Sequence, residues 1–341
     1  LALGMAVSSV GMVSFAEEDA EFNIRACIAS EPETLDPNME SSVDGATYSL
    51  HLFEGLMKYT STGEAAAEGS DAVQLARYDY GQAESYEVSE DGLTYTFHLR
   101  DDAMWSDGEP VTAQDFVYSW QRITDPATAA DYGYILTGVV KNATEIQAGE
   151  AEPDTLGVEA VDDKTFVVTL ETECPYFLSL CTFAALMPLR QDVIEEYGNG
   201  AFVLTDWVHD SYIEMSRNDQ YYEPAGPDKI TWYLSNSQTA MLAAYQAGEY
   251  DFFDNVPTDQ IESLQASGDC FVADQICTYF IYLSCDQIPD WRVRAAITLS
   301  IDRDNIVENI TQGGQTPATG LTAAGISDSQ GNSWVDEIGT P

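Results

Sequence analysis

The stretch from Glu84 to Leu136 constrains the fold more than any other part of the chain. Tyr95, Phe97 and Leu99 alternate with Thr94, Thr96 and His98, the period-two pattern of a strand with one buried face. Asp91-Gly92 and Asp107-Gly108 supply turns on either side. Thr112, with Asp115 three residues on, reads as a capping box. Beyond it Phe116, Trp120 and Ile123 fall at i, i+4 and i+7 on one helical face. That helix is predicted to end before Asp125-Pro126. A half-buried strand followed at once by a capped amphipathic helix demands a mixed α/β domain.

The pattern extends in both directions. Phe22 to Ile28 alternates loosely and leads into Glu31-Pro32-Glu33-Thr34-Leu35-Asp36-Pro37, whose prolines forbid a helix and enforce an extended arm. Tyr48, Leu52, Phe53 and Leu56 recur at helical spacing, and 61–70 reads as an exposed loop. Strands are expected at 156–161, 165–170, 202–207, 212–216, 229–234, 251–254 and 279–283. A helix carrying Ala240, Ala243, Ala244 and Ala247 should close at Gly248. There is no internal repeat or low-complexity tract.

A chain of 341 residues exceeds the usual range of one core, so two or more lobes are expected. Its 45% apolar and 11% aromatic residues belong to an ordered globular protein. With 13 Lys+Arg against 58 Asp+Glu the net charge is -45, which repels phosphate backbones and argues against a nucleic-acid partner. The apolar run Leu1 to Phe15, ending in Ser14-Phe15-Ala16 before acidic residues, reads as the remnant of an export signal over 1–16, too short to span a membrane. The six cysteines never form C-x-x-C, so zinc-ribbon and thioredoxin readings fail and each is expected to be a small buried hydrophobe.

Four segments in order then carry a family resemblance: Glu31 to Pro37, Leu52-Phe53-Glu54-Gly55-Leu56, Asp91 to Arg100, and Trp105-Ser106-Asp107-Gly108. Together they resemble family 5 of the ABC-transporter solute-binding proteins. Asp115 to Trp120, Cys174-Pro175-Tyr176-Phe177, and Val293-Arg294-Ala295-Ala296 followed by Ile301-Asp302-Arg303 are most similar to its oligopeptide-binding branch. The resemblance implies a two-lobed α/β fold of the periplasmic-binding-protein-like class II, closing over a ligand and presented to a membrane permease. Lobe I would combine 22–60 with 200–287, 61–199 would be its inserted subdomain, and 288–341 would begin a truncated lobe II. These residues alone would then bind poorly, because relatives continue through lobe II, where an acidic residue grips the ligand's amino terminus.

In that branch the ligand lies extended and pairs its backbone with protein strands. The resemblance places one such strand at Glu40, Ser41, Ser42 and Val43, a ligand-facing ring at Tyr132, and cleft residues at Cys277, Thr278, Tyr279, Phe280 and Tyr282. Short peptides and permease subunits are the implied partners, the protein being an exported monomer without cofactor or metal. Departures from the family pattern fall at Tyr197-Gly198-Asn199-Gly200-Ala201-Phe202 and between Pro224 and Gly226, where loops are shortened. Within the family a nickel chelate, haem or a sugar is the alternative ligand. Outside it the rival class is a secreted hydrolase with paired carboxylates. Yet Glu17-Glu18, Asp101-Asp102, Asp162-Asp163 and Glu195-Glu196 are adjacent in sequence and so point apart. No G-x-S-x-G, H-E-x-x-H or P-loop is present, and the histidines are only His51, His98 and His209.

Overall fold

The computed structural model describes residues 21–28, 31–62, 76–192, 198–224, 226–272, 276–323 and 326. The expected export segment over 1–16 lies outside them, as does most of the 61–70 loop.

The Glu84–Leu136 signal folds as its pattern requires. Strand β1 (Asn23–Cys27), helix α1 (Val43–Leu52), and strands β2 (Met57–Ser61) and β3 (Ala76–Tyr80) precede β4 (Ala83–Val88) and β5 (Thr94–Leu99). Gly92, at φ +71°, closes the β4–β5 hairpin. The Asp91 carboxylate accepts from the Leu93 amide at 3.1 Å within that turn. Helix α2 (Ala113–Thr124) starts on the Thr112/Asp115 capping box and ends at Asp125. Helix α3 (Ala143–Gln147) and strands β6 (Val158–Asp162) and β7 (Thr165–Thr169) complete an antiparallel sheet in the order β4-β5-β7-β6. Phe116, Trp120 and Ile123 of α2 are fully buried, and the Trp120 ring meets Phe166 edge-on at 5.3 Å. Its indole N–H donates to the Leu186 carbonyl at 2.9 Å, so this large side chain buries no unpaired donor.

After α4 (Phe177–Leu180) come β8 (Phe202–Val208), β9 (Tyr212–Arg217) and β10 (Lys229–Tyr233). Helix α5 (Gln238–Gln246) and the two-residue β11 (Phe252–Phe253) follow. They form a second sheet in the order β11-β1-β10-β9-β8, in which β1 runs parallel to both β10 and β11. Strands β2 and β3 make a separate ribbon. Gly198 shows why the following loop is tight: a Cβ there would lie 1.9 Å from the Leu52 carbonyl oxygen. Next to it Asn199 mimics a strand partner, accepting from the Glu54 amide at 3.0 Å and donating to its carbonyl at 2.9 Å. Helices α6 (Ile261–Ser267), α7 (Trp291–Ser300) and α8 (Arg303–Ile306) follow, the last running on into a π turn at Val307–Thr311.

Three expectations are corrected. The α1 helix begins at Val43 and stops at Leu52, so Phe53 and Leu56 are buried beyond its end rather than on its face. No strand forms over 279–283: β-rich composition needs a neighbouring strand to pair with, and among the described residues the backbone of 276–283 has no hydrogen-bond partner. Only Cys27, Cys174 and Cys181 are buried; Cys277 and Cys285 are exposed, and none of the six forms a disulfide.

Candidate functional site

The carboxyl ends of parallel strands are where open α/β sheets place ligands, and here β1 delivers the chain from such an end into the Pro-bounded arm. Glu31 is clamped by the β8–β9 turn. Its Oε1 accepts from the Trp207 indole at 2.8 Å and lies 2.6 Å from His209 Nδ1, while Oε2 accepts from the Asp210 amide at 3.0 Å. Burial pushes this carboxyl up, but the donors from His209, Asp210 and Trp207 outweigh it and hold it below its ordinary range. Farther along, Asp36 is gripped by the Arg122 guanidinium at 3.0 and 2.5 Å. Arg122 also donates to Asn38 Oδ1 at 3.1 Å. The Asn38 amide group donates to Ser119 Oγ at 3.0 Å and to the Ala185 carbonyl at 2.9 Å. Asp36, Asn38 and Ser119 are all buried, so α2 fixes the arm through a connected polar network.

Residues 40–43 emerge from that anchored turn. Sequence resemblance implied a strand here; the structure has instead the cap of α1, because Ser42 Oγ accepts from the Gly45 amide at 2.9 Å and starts the helix at Val43. Glu40 is buried, with Oε1 accepting from the Ser42 amide at 2.6 Å. A Cβ on Gly45 would sit 2.0 Å from the Glu40 carboxyl carbon, so only glycine leaves room for this packing. The Glu40 amide itself donates to the Asp36 carbonyl at 2.9 Å. Among the described residues, the Ser41 and Val43 amides and the Glu40 and Ser41 carbonyls have no hydrogen-bond partner, and Ser41, Ser42 and Val43 are exposed. These backbone donors and acceptors belong to no sheet.

Ser41 Oγ donates to Asp131 at 2.7 Å, which brings the segment containing Tyr132 alongside. Tyr132 packs edge-on against Phe183 at 4.9 Å and lies 6.2 Å from the exposed Tyr134 ring. The Asp254 carboxyl, just past β11, is pushed up by burial and by Asp44 in the first turn of α1, so two carboxylates sense each other at this end of the sheet. The other candidates stand apart. Cys277, Tyr279, Phe280 and Tyr282 are exposed, Tyr279 at 97%, and Thr278 is half-buried. Among the described residues no hydrogen bond, ion pair or ring contact joins 277–282 to 40–43 or to Tyr132. Sequence reasoning missed the Glu31 clamp and the Arg122 network; the available signal was one arginine following the apolar face of α2. Among the described residues no cluster of His, Cys, Asp or Glu could hold a metal ion, and no helix is long and apolar enough to cross a membrane.

An arm anchored at the carboxyl end of a partly parallel sheet is the setting in which open α/β folds hold their ligands. The profile of the bacterial extracellular solute-binding proteins, family 5 Middle, matches residues 78–337, and the chain belongs to that family. It is 35% identical over 312 residues to the periplasmic oligopeptide-binding protein OppA of Salmonella typhimurium, covering 86% of this chain and 55% of the relative. It is also 35% identical over 311 residues to the probable deoxycholate-binding periplasmic protein YgiS of Escherichia coli, again over 86% of this chain and 55% of the relative. The crystal structure of Haemophilus influenzae OppA in complex with RPPGFSPFR superposes with a TM-score of 0.80 at 34% identity, covering 89% of this chain and 60% of that one. The chain thus spans little more than half the length of the curated relatives it matches.

Proposed function

We propose that this chain is part of the extracytoplasmic solute-binding component of a peptide ABC importer, capturing short peptides and delivering them to permease subunits in the membrane. The observation that carries this reading is the open row of amides and carbonyls at Glu40–Val43. The turn before it is tied down by the buried Asp36–Arg122–Asn38 network, and an arm fixed in advance lowers the ordering cost of binding. Such groups recognise any extended main chain and ignore side-chain identity. Tyr132, beside Asp131 and Ser41, supplies an apolar wall. Cys277 to Tyr282 supply further cleft surface once a second lobe closes over them, with lobe I built from 22–60 and 200–287, its subdomain from 61–199, and the second lobe beginning at 288. The names of the oligopeptide-binding relatives support peptide as the ligand class. Their periplasmic designation favours export, and we take the protein to act as a monomer.

YgiS, equally similar, is named for a bile acid, so the test must separate the two chemistries. Calorimetry of the complete protein against mixed short peptides and against deoxycholate does so. Heat with peptides of varied sequence supports the proposal; a response to deoxycholate alone, with none to any peptide, refutes it.

A further inference from the structure

Six tyrosines gather on elements that do not form the arm. In the β2–β3 ribbon the register pairs Tyr59 with Tyr78 and Met57 with Tyr80, so these four side chains share one face. Met57 is buried, whereas Tyr59 and Tyr78 are 60% and 48% exposed. The Tyr59 hydroxyl lies 3.1 Å from the Ser179 hydroxyl in α4. Tyr176, the N-cap residue of the same short helix three residues before Ser179, is 61% exposed. From Tyr80 the row continues to Tyr86 at 6.0 Å and on to Tyr95 at 6.3 Å, and Tyr95 rests on buried Phe177 at 4.7 Å. Tyr86 and Tyr95 pack half-buried against the core, while Tyr59, Tyr78, Tyr80 and Tyr176 are exposed. Burial and the neighbouring phenols of Tyr80 and Tyr78 push the Tyr86 hydroxyl up, so it stays protonated at neutral pH.

The border of this face is acidic. The Leu170 amide donates to the Leu93 carbonyl at 2.7 Å, and a Cβ on Gly92 would lie 3.4 Å from the Glu173 side chain, so the 89–92 turn and the 171–173 segment abut. They bring exposed Glu90, Asp91, Glu171 and Glu173 beside the rings. Neither 86–95 nor 171–176 contains a Lys or Arg. The cations of the ribbon alternate to its other side and are engaged: Arg77 pairs with Asp79 at 3.0 Å, and Lys58 with Glu223 at 2.8 Å.

We propose that this phenol face with its carboxylate rim is a docking surface for an arginine- or lysine-bearing segment of another protein. A cation over a tyrosine ring gains from the ring quadrupole and from the nearby carboxylates together. The chain already uses that geometry internally, with the Arg100 guanidinium 3.8 Å from the centre of the Tyr222 ring. Anionic partners are repelled by a net charge of -45. A neutral saccharide would also stack on such rings, but its binding would be indifferent to salt.

This surface goes beyond the import role and can be read out separately from the proposed cleft. Ring-labelled tyrosine NMR of the chain is titrated with acetylated, amidated tetra-arginine and, in parallel, with maltotriose. Saturable shifts at Tyr59, Tyr78 and Tyr176 are expected with tetra-arginine, weakening about tenfold between roughly 50 and 300 mM salt as screening sets in. They should vanish in the combined Tyr59→Ser, Tyr78→Ser, Tyr176→Ser variant. Shifts with maltotriose instead, shifts confined to Tyr132, Tyr279 and Tyr282, or no shifts in the unaltered chain each overturn the proposal.

Discussion

Replacing Arg122 by methionine is the sharpest perturbation of the arm. The side chains of Asp36 and Arg122 are 5% and 20% exposed, and the substitution removes three charge-assisted hydrogen bonds, two to Asp36 and one to Asn38. Of its side-chain hydrogen bonds, the Asp36 carboxylate would keep the one from the Asn38 backbone amide, at 3.0 Å. Stranding a buried carboxylate in this way costs about 3–5 kcal/mol. At ~2 °C per kcal/mol for a chain of this size, the melting midpoint should fall by roughly 6–10 °C. Denaturant titration gives the free-energy loss, and hydrogen exchange over 36–43 should show the arm opening ahead of the rest of the molecule. The double variant Asp36→Leu/Arg122→Met, which leaves no orphaned charge, should recover most of the loss. A loss below about 1 kcal/mol for the single variant, or a double variant as unstable as the single one, would falsify the claim that this ion pair anchors the arm.

Trp120→Ala empties the centre of the α2 face and leaves the Leu186 carbonyl without its indole donor; denaturant unfolding should show a loss of about 3–5 kcal/mol, and a loss under ~1 would mean that the contact is not structural. Gly45→Ala drives a methyl group into the Glu40 carboxyl and should cost about 1–3 kcal/mol, a cost that Glu40→Ala suppresses; strict additivity of the two substitutions would contradict the packing described. Glu31 sits below its ordinary value of 4.5, so its contribution to stability is fully present above that pH and fades as pH falls through the lower folded value. Glu31→Gln should therefore leave the pH dependence unchanged above about 4.5 and flatten it below that value, and an unchanged acid limb would show that the β8–β9 clamp contributes nothing.

What the sequence made legible was local. The β4–β5 hairpin, the capping box of α2 and the β6–β7 pair are specified by turns and periodicities within a dozen residues, and they form as read. The devices that place the site are long-range: Arg122 reaches back 86 residues to Asp36, Asn199 reaches 145 to Glu54, and Trp207 reaches 176 to Glu31. The prolines of the arm marked it as extended without showing what it docks against. At Glu40–Val43 the serine that caps α1 overrides the expected strand, since a short polar side chain satisfies a helix amide more readily than an isolated strand satisfies its own backbone. At 279–283 the composition suits a sheet, but a strand exists only beside another.

The account turns on whether the exposed backbone of the arm grips its guest. Amide hydrogen exchange resolved to single residues, on the complete protein with and without a saturating short peptide, measures this directly. Ser41 and Val43 should exchange freely alone and become protected when peptide is bound. Tight peptide binding that leaves both amides exchanging at their unliganded rates would contradict it.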